Sequence, residues 1–75
     1  MNVEDMLPKY RHGDRVRIDP SVETLPALPS YQGVIIEAIP SHAEQRMGYN
    51  LQIDGDIRQA RRWFFYEDQL TLVSS

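Results

Sequence analysis

Residues 14–18 read Asp-Arg-Val-Arg-Ile, with Val16 and Ile18 on one face and Arg15 and Arg17 on the other. That strict alternation is the period of a half-buried strand. Gly13-Asp14 before it is a turn signal. Residues 33–39 form an apolar run from Gly33 to Ile39, broken only by Glu37. It predicts a second strand, buried on both faces or buried on one and facing a partner on the other. Residues 48–53 alternate again, with Tyr49, Leu51 and Ile53 predicted inward and Asn50 and Gln52 outward.

The segments between these runs carry turn chemistry. Residues 19–32 hold Pro20, Pro26 and Pro29 with Ser21, Thr24 and Ser30, which forbids a regular central strand. A long surface loop is expected, and loops of that length often carry function. Its simpler role is that of an ordered spacer pinned by Leu25, Leu28 and Tyr31. Residues 40–47 read as a second loop. Asp54-Gly55-Asp56 predicts a tight hairpin, because Gly and Asp tolerate positive φ. The fourth strand should then lie within Ile57 to Tyr66. Glu67-Asp68-Gln69 suits a 3₁₀ turn, and Leu70 to Val73 a last strand. At the start, Asn2 can cap a helical turn over residues 1–8, with Asp5 three positions on, or the terminus is frayed.

Five short strands with turn signals between them predict an all-β fold, a small barrel or sandwich. Residues 1–9 read as an N-terminal extension and 10–75 as the domain. At 75 residues there is room for one domain. A domain of this size buries only about 60% of the surface its unfolded chain exposes, so its core is thin. The chain has no cysteine, which removes disulfides and thiolate chemistry and fits a reducing compartment. Acids at positions 4 and 5 and Pro8 argue against a secretory signal, and no apolar run approaches a membrane span. The expectation is a cytoplasmic protein with no membrane contact.

The order of strands, loops and 3₁₀ turn resembles an SH3-like barrel. Gly13-Asp14-Arg15-Val16-Arg17-Ile18, Gly33 with the branched residues after it, and Phe65-Tyr66-Glu67-Asp68-Gln69-Leu70 are similar to bacterial and plastid versions of that barrel. Among these are the ferredoxin–thioredoxin reductase variable chain, the small SH3-like subunit of photosystem I and the C-terminal domain of the nitrile hydratase beta subunit. The resemblance spans roughly residues 10–73 and implies a non-catalytic module that packs on another subunit.

A local resemblance points to the plasmid-borne type II dihydrofolate reductases. It rests on Gly13 to Arg17, on Tyr31-Gln32-Gly33 and on Gly48-Tyr49. That family implies a homotetrameric pore in which folate meets NADPH, lined by a Val-Gln-Ile-Tyr run, with a lysine after the first strand. Here Trp63-Phe64-Phe65-Tyr66 stands at the run, Asp19 follows the first strand, and Lys9 is the only lysine. The residues that carry that activity do not carry over.

Candidate chemistry in the residues themselves is sparse. His12 and His42 fall in different loops, with no metal-ligand spacing. Asp54 and Asp56 supply too few oxygens for calcium and are explained by the turn. Glu67 and Asp68 read as exposed turn residues. No serine sits in a nucleophile elbow, and the glycines are dispersed. No cofactor is expected.

The informative stretch is Arg58-Gln59-Ala60-Arg61-Arg62-Trp63-Phe64-Phe65-Tyr66, in which arginines lead into four aromatics. On a strand, Trp63 and Phe65 share one face and Phe64 and Tyr66 the other. A one-sided core takes one pair, so the other is exposed or is covered by the 19–32 loop or the N-terminal segment. Exposed aromatics beside arginine have the composition of a binding hot spot. The expected contact residues are Arg61, Arg62, Trp63, Phe64 and Tyr66 with Leu25, Leu28 and Tyr31 of the loop. The expected function is that of a non-catalytic interaction or accessory module that binds a partner protein or itself. Two alternatives stand beside it: a reductase-like pore enzyme, and single-stranded nucleic-acid binding in which Arg15, Arg17 and Arg46 join a basic face. The net charge of −3 disfavours nucleic acid.

Overall fold

The computed structural model describes residues 7–58 and 61–75. The helical turn expected over residues 1–8 lies almost wholly outside the described residues. The strands are β1 (Arg15–Ile18), β2 (Gln32–Ser41), β3 (Arg46–Ile53), β4 (Trp63–Tyr66) and β5 (Leu70–Ser74). A 3₁₀ turn, Glu67–Gln69, joins β4 to β5. No α-helix occurs among the described residues. All pairings are antiparallel, and the sheet runs β4-β3-β2-β1-β5. This hydrogen-bonded order does not close on itself; β4 and β5 are its two ends.

The alternating strands bury the side chains that their pattern predicts. Val16 and Ile18 of β1, Ile35 of β2, and Met47, Tyr49, Leu51 and Ile53 of β3 are buried. Tyr10, Trp63, Phe65 and Leu70 complete the core. β2 is not buried on both faces. It alternates through Gly33 and Ile35, then shifts register at Ile36, because Ile35 pairs with Leu51 and Glu37 with Asn50. The extra residue is a bulge, which bends the strand and raises its twist.

The tight hairpin is elsewhere than the sequence predicts. β2 continues to Ser41 and β3 begins at Arg46, so residues 42–45 make the short turn and the loop expected over 40–47 is mostly strand. Gln45 supplies the positive φ of 54° that such a turn needs. Asp54-Gly55-Asp56 does turn, with Gly55 at φ 77°, but among the described residues pairing with β3 resumes at Trp63 and not directly after the turn. Its aspartates are committed to holding the 54–62 connection instead. Asp54 pairs with Arg15 at 2.6 Å. Asp56 accepts the Arg58 N–H at 3.0 Å and the Trp63 indole N–H at 2.9 Å.

The connection between β1 and β2 covers residues 19–31. Asp19 accepts from the N–H and hydroxyl of Ser21, at 2.8 and 2.7 Å, which closes its first bend. The Tyr31 hydroxyl donates to the Val22 carbonyl at 3.2 Å across the loop. Val22 and Leu28 pack on the core. Leu25 is fully exposed and pins nothing, contrary to the expectation for that residue.

Candidate functional site

β4 alternates as a strand must, and the register chooses which aromatic pair points inward. Trp63 pairs with Leu51 and Phe65 with Tyr49, both core positions of β3. Trp63 and Phe65 are therefore buried. Asp56 holds the Trp63 indole, and that hydrogen bond keeps the Asp56 carboxyl below its ordinary pKa, with the Arg58 N–H adding to it. Trp63 belongs to the core and not to the contact face expected of it.

Phe64 and Tyr66 point away from the core. Phe64 remains 43% exposed, so neither the 19–31 loop nor the described N-terminal residues cover it. Its ring meets Tyr66 edge-on, with centroids 5.3 Å apart and planes at 85°. Quadrupole electrostatics favour that arrangement over face-to-face stacking. Opposite Tyr66 on β3 stands Gly48. The Phe64 ring occupies the space over it; a Cβ on Gly48 would lie 2.0 Å from Phe64 Cζ.

Arg46, two residues before Gly48 on the same face of β3, lays its guanidinium 3.8 Å from the Tyr66 ring centroid. The same group pairs with Asp68 of the 3₁₀ turn. Arg62 donates to Gln52 Oε1 at 3.0 Å and to the Arg61 carbonyl at 3.1 Å. Asn50 donates to Glu37 at 3.1 Å on the neighbouring strand. The outer face of β3 and β4 is thus an aromatic pair flanked by arginine and amide groups, each held by a partner. Sequence reasoning put Arg46 in the 40–47 loop and on a basic face with Arg15 and Arg17; the structure puts it on β3 beside Tyr66. The signal for that place was parity, since residues 46, 48 and 50 share a face on β3.

The predicted residues separate into different places. Arg61 sits with its guanidinium 5.0 Å from the Trp63 ring, beside the indole that faces the core. Leu28 and Tyr31 line a hollow of about 330 Å³ with Glu23, Thr24 and Ala27, and no β4 residue shares it. Leu25 projects into solvent. Phe64, Tyr66 and Arg62 are the predicted residues that one surface brings together.

Behind this surface lies a buried polar knot. The Tyr49 hydroxyl accepts the backbone N–H groups of Lys9 and Tyr10 and donates to the Glu67 carboxylate. Burial, and then the Glu67 carboxylate, push the Tyr49 phenol up to about 12. The Tyr10 hydroxyl donates to the Leu70 carbonyl at 3.0 Å. Glu67 is thereby a structural residue and not the free turn acid its position suggests. Between this knot and Arg46 is a hollow of about 380 Å³ lined by Lys9, Gln45, Arg46, Met47, Glu67 and Asp68.

Among the described residues no three His, Asp or Glu side chains gather as a metal site. His12 and His42 are both exposed, in separate turns. No helix among the described residues is long and apolar enough to cross a membrane. No family model, no curated protein and no solved structure matches this chain.

Proposed function

We propose that this chain is a small SH3-like interaction module, and that it binds a protein partner through the outer face of β3 and β4. The observation that carries the reading is the outward-facing Phe64–Tyr66 pair, Phe64 exposed and Tyr66 half-buried, held edge-on with Arg46 over Tyr66. A large apolar side chain left out of a thin core is a loss of burial that a partner can recover. Full burial of such a side chain from water stabilises by about 1.5–3 kcal/mol, and Phe64, at 43% exposed, stands to gain the corresponding fraction. Aromatic and arginine side chains dominate the energetics of protein interfaces. Fixing them beforehand lowers the ordering cost of binding. The SH3-like assignment is supported by the succession of strand, long loop, three strands, 3₁₀ turn and strand, and it leaves the five-stranded sheet as a scaffold with no bond chemistry of its own.

Two of the arginines that a nucleic-acid reading would enlist are already paired, Arg15 with Asp54 and Arg46 with Asp68. That favours the protein reading. The test is capture of binding proteins from native extract by the wild-type chain, Phe64→Ala and Tyr66→Ala. Loss of a captured protein in either variant supports this face. Equal capture by all three overturns it.

A further inference from the structure

We propose that the partner of this face is a second copy of the same chain, joined by antiparallel pairing of β4 with β4 about Phe64. The proposal rests on the reading of Phe64 and Tyr66 as a binding surface and names its occupant.

Three observations carry it. First, β4 ends the sheet, so among the described residues no strand lies beside one side of its backbone. The Tyr66 N–H donates to Gln69 Oε1 at 2.9 Å and so points away from β3. In an antiparallel ladder the backbone groups of alternate residues point the same way, which directs the N–H and C=O of Phe64 to that open side as well. Tyr66 has its N–H capped, so Phe64 is the centre of the available edge. Trp63–Tyr66 contains no proline and no charge, the usual devices that blunt an edge strand.

Second, the charges that flank β4 are complementary under reversal. Arg61 and Arg62 precede it, and Glu67 and Asp68 follow it; Asp68 is paired with Arg46 within the chain yet its side chain stays 73% exposed, open to a second cation. Antiparallel pairing with an identical strand brings the basic end of each copy to the acidic end of the other, twice over. Parallel pairing would instead put like charges together. A two-fold axis makes one contact count double, and opposite charges fix the register.

Third, the outward-facing side chains read Arg62-Phe64-Tyr66, a sequence that complements itself about its middle residue. With Phe64 opposite Phe64 of the second copy, Arg62 stands opposite Tyr66 of that copy, a cation beside an aromatic ring. The other end of the sheet, β5, has the acids Glu67 and Asp68 before it but lacks the base on its other side that would meet them under reversal. So short a contact lies at the weak end of protein interfaces, and the dimer should dissociate on dilution and in salt.

The chain has no cysteine, so single cysteines report position without background. Pairing about residue 64 puts the two Cα atoms about 5.5 Å apart. Removing the Phe64 ring weakens the contact, so crosslinking is done at about 1 mM, where backbone pairing is still sampled and is trapped covalently. There Phe64→Cys should crosslink as a dimer with a short bismaleimide, and Val73→Cys on β5 should not. Sedimentation equilibrium up to about 1 mM should show a wild-type dimer. R62E and D68R should each weaken it by at least about tenfold, and mixing the two variants should restore it, since each then meets its opposite charge. A wild-type monomer over that range, or equal crosslinking at 64 and 73, overturns self-pairing. So does a dimer that both charge reversals leave intact. None of these outcomes touches the binding-face reading, which fails only if Phe64→Ala and Tyr66→Ala leave partner capture unchanged.

Discussion

The Tyr49 hydroxyl donates to the Glu67 carboxylate while accepting the backbone N–H groups of Lys9 and Tyr10, at 2.9 and 3.2 Å. One buried oxygen thus ties the N-terminal segment, β3 and the 3₁₀ turn. Removing it leaves the buried Tyr10 N–H without that partner. Tyr49→Phe should destabilise the fold by about 1–3 kcal/mol, read from urea denaturation.

The same knot sets a pH dependence. The Tyr49 phenol is raised from its ordinary 10.0 to about 12, so the folded state holds the proton more tightly than the unfolded chain. Its contribution is complete below the unfolded value and disappears as pH rises through the folded one. Stability should fall between pH 10 and 12, and Tyr49→Phe should flatten that part of the wild-type curve. Equal slopes in the two proteins would contradict the assignment.

Neighbouring phenylalanines should behave oppositely. Phe65 is 3% exposed and Phe64 43%. Phe65→Ala should cost about 3–5 kcal/mol. Phe64→Ala should cost under about 1 kcal/mol and leave the fold intact. Thermal or urea unfolding of the pair checks which aromatic face is core.

Two glycines of the sheet give a similar contrast. A Cβ at Gly33 would lie 2.6 Å from the Gln52 carbonyl oxygen, which is backbone and cannot yield cheaply. Gly33→Ala should destabilise by about 1–3 kcal/mol. The three atoms nearest a Cβ at Gly48 all belong to the Phe64 ring, which can swing outward. Gly48→Ala should cost less in stability than Gly33→Ala and should weaken binding by breaking the Phe64–Tyr66 arrangement. Unfolding and binding measured on both variants separate the two effects.

Asp56 anchors the chain's only tryptophan. Its carboxyl is held below the ordinary value, so its contribution is present above the unfolded pKa and lost as pH falls through the folded one. Asp56→Ala should lower the urea midpoint at pH 7, shift the Trp63 emission, and reduce the loss of stability on acidification. An unchanged emission spectrum would contradict the anchoring role.

Much of the sheet is readable along the chain because alternation survives in β1 and β3, where Val16, Ile18, Tyr49, Leu51 and Ile53 mark one face. β4 hides its orientation because Trp63, Phe64, Phe65 and Tyr66 are aromatic on both faces. Pairing with β3, far away in sequence, decides it. The hairpin is misplaced for a local reason. Asp54-Gly55-Asp56 has strong turn chemistry but spends its carboxylates on Arg15 and Trp63. The true tight turn has no glycine or asparagine and places Gln45 at positive φ. The stacking of Arg46 on Tyr66 joins strands that only the folded sheet brings together.

The most direct measurement of the central claim compares quantitative capture of binding proteins, untagged copies of the chain included, by tagged wild type, Phe64→Ala, Tyr66→Ala and Leu25→Ala. The account predicts that Phe64→Ala or Tyr66→Ala loses the captured protein while Leu25→Ala, altered at a fully exposed loop position away from the face, keeps it. Full capture by both Phe64→Ala and Tyr66→Ala would contradict the account.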